Sequence, residues 1–241
     1  MSGHSKWSTI KREKGAKDAK RGAIFTKIGN QIAIAARSGT DPVMNSALAL
    51  AIETAKQANM PNANIQRAID RVSDKNAAVL EETTYEAYGP GGIGIIIETA
   101  TDNKNRTYPE VKSALTKSGG TIADPGSVLF QFARKGVIRV ASQGEDALLT
   151  VLDAGAEDAV EEDGEIIVYT DQKELAKVRT AIVASGLPVV AASLQYIPNA
   201  QVEVGDDEVA RKVLKILDVL DDLDDVVEVH TNAEITASIS D

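Results

Sequence analysis

Nine cations crowd the first forty residues of this chain: Lys6, Lys11, Arg12, Lys14, Lys17, Lys20, Arg21, Lys27 and Arg37, against only Glu13 and Asp18. Trp7, the sole tryptophan, stands among them in the segment S-K-W-S-T-I-K-R-E-K. Lysine and arginine neutralise phosphates and release counterions, and an exposed indole stacks on a base. Lys14, Lys17 and Arg21 share one helical face if a helix begins early, while Gly15 and Gly22 weaken that face and leave it adaptable. The formal net charge is -10, so a segment at +7 is attached to a remainder at -17. The acidic remainder repels phosphate and orients a polyanion onto the arm. The pattern points to nucleic-acid recognition, with Lys6, Trp7, Lys11, Arg12, Lys14, Lys17, Lys20, Arg21 and Lys27 as contacts. The plain alternative is a solvated lysine tail with Trp7 packed on a helical domain.

A second candidate is T-D-N-K-N-R-T at residues 101–107, which joins a strand to a helix N-terminus. Backbone N–H groups and the helix dipole meet there and suit a phosphate. Asn105 and Arg106 are the candidate contacts, and Asx-turn and capping chemistry is the alternative. G-P-G-G-I-G at residues 89–94 spells G-x-G-x-x-G but precedes a strand, whereas a dinucleotide fingerprint follows one. The run D-V-L-D-D-L-D-D at residues 218–225 lacks the glycine of a calcium loop and reads as a solvated, phosphate-repelling face. There is no cysteine, and His4 and His230 are the only histidines. Thiol chemistry and multi-histidine metal sites are thereby excluded. No catalytic residues, metal or cofactor are expected, and no small-molecule substrate.

The elements that must position these groups divide the 241 residues into helical and mixed parts. Ile24, Ile28, Ile32 and Ala35 recur on one face of a helix over residues 17–38. Asp41-Pro42 then reads as the start of a second helix, with Met44, Leu48, Ala51, Ile52 and Ala55 along one side. Asn62 is placed to cap a third, striped by Ile65, Ala68, Ile69 and Val72. Residues 76–84 read as a linker. Residues 92–100 form a strand, Thr107-x-x-Glu110 opens a helix as a capping box, and residues 127–133 form a strand. Residues 136–197 then run strand, helix, strand, strand, helix, strand, the order of a ferredoxin-like fold. A last strand, helix and strand cover residues 201–204, 206–220 and 226–230.

The expected class is α+β: a three-helix N-terminal domain followed by two ferredoxin-like α/β domains, one inserted into the other. The expected boundaries are 1–78 for the helical, nucleic-acid-binding domain and 79–134 with 199–241 for the split domain. Residues 135–198 are expected to form the insert. The N-terminus lacks the apolar core of a secretory signal, and no run reaches the length of a membrane span. A cytoplasmic protein without a membrane partner is expected.

The chain also resembles the YebC/PmpR family. The resemblance rests on G-H-S-K-W at 3–7, D-A-K-R-G at 18–22, F-T-K-I at 25–28 and N-M-P at 59–61. It continues through Y-G-P-G-G at 88–92, T-D-N-K-N-R-T at 101–107, G-S-V-x-F at 126–130, K-G-V-I at 135–138 and D-D-L-D-D-V at 221–226. It implies a helical domain and two α/β domains, one inserted into the other. It also implies a transcriptional regulator that binds DNA. Other members look like translation factors, including a mitochondrial translational activator and ribosome-associated proteins. The chain departs from the family at Ala47-Leu48-Ala49, where arginines are frequent, and at Ala87, where glycine is common. The first departure removes charge from the second helix and moves the expected contact onto the arm.

Overall fold

Among the described residues three helices come first, and one asparagine joins two of them. The computed structural model describes residues 18–74 and 77–237, with side chains from Gly22 onward. Helix α1 (Asp18–Ala36) buries Ile28, Ile32 and Ala36. Helix α2 (Ser46–Gln57) starts later than Asp41-Pro42 suggests. Asp41 Oδ1 accepts from Val43 N at 2.9 Å and closes a turn instead. Asn45 is the N-cap: its Oδ1 accepts from Leu48 N, and its Nδ2 donates to Ala35 O and Gly39 O, both at 2.7 Å. One amide thus satisfies an orphan donor of α2 while donating to a carbonyl in the last turn of α1 and to one just beyond it, which a carboxylate cannot do. Met44 falls outside the helix and is 85% exposed.

Asn59, at φ 57°, breaks the chain before helix α3 (Asn62–Asp70). Pro61 holds the cap position expected of Asn62. Ile65 and Ile69 close a core with Ile28, Ile32, Leu48, Ala55 and Met60, whereas Val72 lies in a following 3-10 turn and is exposed.

The described chain divides into two compact units, one from Ala133 to Ile197 and one holding the described residues up to Phe132 and from Pro198 onward. In the second unit the expected linker gives way to strand β1 (Glu81–Tyr88), which pairs with β2 (Gly94–Thr101) from Glu81↔Thr101 to Tyr88↔Gly94. The sequence E-E-T-T-Y-E-A-Y carries no apolar alternation, so pairing rather than pattern makes it a strand. Helix α4 (Lys104–Lys117) begins before the expected capping box. Asn103 caps it by accepting from Arg106 N at 3.2 Å, while the Thr107 hydroxyl turns to Asp225. Short strand β3 (Thr121–Ala123) follows.

The strand expected over residues 127–133 is instead a turn with a 3-10 segment, and β4 (Phe132–Val140) starts after it. The cause is Glu86, only 5% exposed, whose carboxylate accepts from Gly126, Val128 and Leu129 N–H at 2.5–2.7 Å. Those amides are spent on a side chain and cannot join a ladder.

Beyond the insert come β8 (Val202–Val204), helix α7 (Asp207–Asp221), β9 (Val226–Thr231) and β10 (Ala233–Ile235). Asp206 caps α7. The main sheet runs β3-β1-β2-β9, and β8 pairs in parallel with β10 apart from it. Its core joins Ile95 and Ile97 with Val111 and Leu115 of α4 and Val213, Ile216, Leu217 and Leu220 of α7. In a ferredoxin-like sheet the strands that open each β-α-β half lie in the middle and those that close them at the edges. Here β3 and β9 hold the edges and β2 one middle place. The other middle place belongs to β1, because β8, the strand before α7, has left the sheet.

The unit Ala133–Ile197 keeps the plain order β4, α5 (Glu145–Asp153), β5 (Asp158–Glu162), β6 (Glu165–Asp171), α6 (Leu175–Ala184) and β7 (Val189–Pro198). Its sheet runs β5-β6-β4-β7, with β6 and β4 in the middle. Asp163 and Gly164, at φ 49° and 81°, turn the β5–β6 hairpin. Gly136 lies against Thr170 and Leu175, and a Cβ there would overlap Thr170 Oγ1 and come within 2.9 Å of Leu175 Cβ.

Candidate nucleic-acid interface

Most of the basic arm, Lys6, Trp7, Lys11, Arg12, Lys14 and Lys17, lies outside the described residues. Lys20 and Arg21 fall within α1, and their side chains also lie outside the described residues. Lys27, further along α1, is committed within the protein. Its ammonium donates to Asp221 O and lies 3.5 Å from Asp221 Oδ1, with the side chain 12% exposed. That contact seats α1 at the C-terminal end of α7, where a cation also meets the negative end of the helix dipole.

Beside α1, a shallow cavity of about 320 Å³ opens between α1 and α3. Thr26 and Asn30 line it from α1, and Asn64, Arg67 and Arg71 from the other side. Arg71 donates to Asn30 Oδ1 at 3.4 Å and Arg67 to Asn64 Oδ1 at 3.3 Å. These are long, weak bonds that leave the guanidinium groups adaptable.

The second candidate, Asn105 and Arg106, sits at the start of α4. Asn105 is exposed. Arg106 Nη2 lies 2.8 Å and 2.9 Å from the two carboxylate oxygens of Asp225 and 3.4 Å from Asp102. Thr107 and Thr101 donate to the same Asp225 at 2.6 Å and 3.1 Å. Burial works to raise the Asp225 pKa, but hydrogen bonds from Thr107, Arg106 and Thr101 outweigh it and hold the carboxyl below its ordinary value. The T-D-N-K-N-R-T loop is thus organised around a carboxylate of its own chain.

That carboxylate corrects the reading of the acidic run as a purely solvated face. Asp221 receives Lys27, and Asp225 ties α4 to the approach to β9. Spacing within the run could not single them out, because their partners are more than a hundred residues away. His230 is likewise internal, 2.9 Å from Glu98 across the sheet. Tyr108 and Lys112 of α4 escape a reading of the sequence by charge density and motif. The available signal was an aromatic with a lysine four residues to either side. Among the described residues no three His, Asp or Glu side chains converge as a metal site, and no helix is long and apolar enough to cross a membrane.

Comparison with known proteins places these features in a wider set. A family model described as TACO1/YebC protein N-terminal domain matches residues 5–75, and one described as TACO1/YebC second and third domain matches residues 80–233. A relative from Moorella thermoacetica, named "Probable transcriptional regulatory protein", is 46% identical and is matched over 100% of this chain and 98% of its own length. One of the same description from Chlorobaculum tepidum is 47% identical, over 99% and 97%. The crystal structure of a conserved hypothetical protein from Aquifex aeolicus superposes with a TM-score of 0.86 at 40% identity, covering 92% of this chain and 93% of that one.

Proposed function

The chain belongs to the TACO1/YebC family, and from that premise we propose that it is a nucleic-acid-binding regulator of gene expression. Relatives matched over nearly their whole length carry the name "Probable transcriptional regulatory protein". On the proposed reading it binds DNA in the cytoplasm, does no catalysis and takes no cofactor, small-molecule substrate or membrane. The observation that supports this most is the charge separation: a +7 segment on a -17 remainder. Such a polarity aims a polyanion at the arm.

If about five arm cations meet phosphates, log affinity falls against log salt with a slope near -3.5 to -4.5. Replacing Lys11, Lys14, Lys17 and Arg21 by alanine weakens binding to all sequences and flattens that slope by roughly one unit for each phosphate-bound cation removed. Fluorescence anisotropy across a salt series reads both quantities. Unchanged affinity and slope in a folded four-residue variant sink the assignment to the arm.

A ribosome- or RNA-associated translation factor is the second reading. It is favoured by the helices themselves. Helix α2 exposes Ser46 and Ala47 at its start and Lys56 and Gln57 at its opposite end, and the Gln66 side chain of α3 is bonded to Asp70. Neither offers a duplex a row of free base-reading groups. Crosslinking in lysate followed by sequencing of bound DNA and RNA decides between the polymers.

A further inference from the structure

Helix α4 is a basic element in an acidic body. Its sequence K-N-R-T-Y-P-E-V-K-S-A-L-T-K holds four cations and one acid. Lys104, Tyr108 and Lys112 stand four residues apart and so share one face, with Asn105 beside them. All four are exposed. Tyr108 is 41% exposed in a chain whose aromatic content is only 4%.

The ring is backed on one side. Tyr85 of β1 packs against it with centroids 5.9 Å apart and planes tilted by 52°. Lys112 Nζ lies 5.9 Å from the Tyr108 centroid, at the outer limit of a cation–π contact, and Lys112 forms no salt bridge among the described residues. Lys104 meets Glu81 at 2.6 Å, but both side chains are more than half exposed, so water and salt screen the pair and a phosphate can compete for the lysine. Arg106 points away to Asp225. A propped aromatic ring flanked by two exposed ammonium groups combines the two parts of a single-strand site: a stacking surface and cations to follow the backbone.

We infer that the Lys104–Tyr108–Lys112 face of α4 is a second nucleic-acid contact, on which an unpaired base stacks over Tyr108 while adjacent phosphates meet Lys112 and Lys104. It rests on the reading of the protein as a nucleic-acid binder and adds to it a site for single strands, separate in sequence from the basic arm. A base inside a duplex cannot offer its face to the ring, so the site selects unpaired segments.

The test uses the full chain, with a fluorescent mixed-sequence single strand and a duplex of the same length followed by anisotropy. Tyr108→Ala is expected to weaken single-strand binding about tenfold, within the range for one stacked base, and duplex binding less than twofold. Tyr108→Phe retains the ring and the affinity. Lys112→Gln, which leaves the Tyr85–Tyr108 packing intact, flattens the single-strand salt slope by about 0.7. Circular dichroism confirms the fold of each variant. Single-strand affinity within twofold of wild type in both Tyr108→Ala and Lys112→Gln overturns the site while leaving the arm reading intact. So does an equal loss on single strand and duplex. Failure of the wild-type chain to bind either polymer overturns the parent reading and this one together.

Discussion

Arg106 and Asp225, 119 positions apart, meet through two hydrogen bonds of 2.8 Å and 2.9 Å from one guanidinium nitrogen to both carboxylate oxygens. The contact connects the first turn of α4 with the residue before β9, and it closes across the break where the other unit is inserted. Thr101 and Thr107 complete the shell around Asp225. The motif that looked like an anion-binding loop already has its anion.

Asp225→Asn is therefore expected to destabilise the protein by roughly 1–2 kcal/mol, because Thr101 and Thr107 lose a charged acceptor while solvent screens the half-exposed Arg106 pair. The pH dependence follows from the lowered pKa of Asp225. The unfolded state takes up the proton first, at about pH 4, so stability is fully present above that value and declines as pH falls through the lower folded pKa. Urea denaturation at neutral and acid pH checks this. The variant should lose part of the acid-sensitive slope, and a slope identical to wild type would remove Asp225 from the account of acid stability.

Asn45 offers a test of a different kind. Asn45→Ala should cost about 1–3 kcal/mol, since it removes a helix cap and two buried donors. Asn45→Asp keeps the acceptor for Leu48 N–H but places a negative charge against the carbonyls of Ala35 and Gly39. Aspartate is ordinarily as good a cap as asparagine. Here it should fail to rescue, and thermal melts in which the Asn45→Asp variant equals wild type would show that only the capping half of the contact matters.

The proposed independence of the inserted unit predicts that residues 133–197 expressed alone unfold cooperatively, because the segment holds a complete β-α-β-β-α-β set. Gly136→Ala should destabilise that segment by about 1–3 kcal/mol through overlap with Thr170 and Leu175. Circular dichroism melts of the isolated segment measure both. A spectrum without secondary structure would count against an independent insert, and an unchanged melting point in the variant against the tight fit at Gly136.

Periodicity made the helices readable. Ile28, Ile32, Ile65 and Ile69 recur at helical spacing, and all four are buried where that spacing puts them. The apolar run of β2 was legible because it is buried along nearly its whole length, and the order of short strands and helices within residues 133–197 was legible from its apolar segments and turns. β1 was not. Glu81–Tyr88 takes its place through eight pairings with β2 and a short pairing with β3, and nothing in E-E-T-T-Y-E-A-Y announces either. Residues 127–133 read as a strand from sequence, and the turn that replaces most of that strand escaped notice because the group that claims its amides, Glu86, is about forty residues away.

The candidate site divides along the same line. Sequence alone determined where the cations lie and that they oppose an acidic remainder, since charge is a property of composition and order. Only the tertiary structure decided which charges remain available. Lys27 and Arg106 are bonded to Asp221 and Asp225, while Tyr108 and Lys112 stand exposed on α4. The physical reason is range: a helix period links residues three or four apart, but an ion pair forms wherever folding brings two charges within a few ångströms, whatever their distance along the chain.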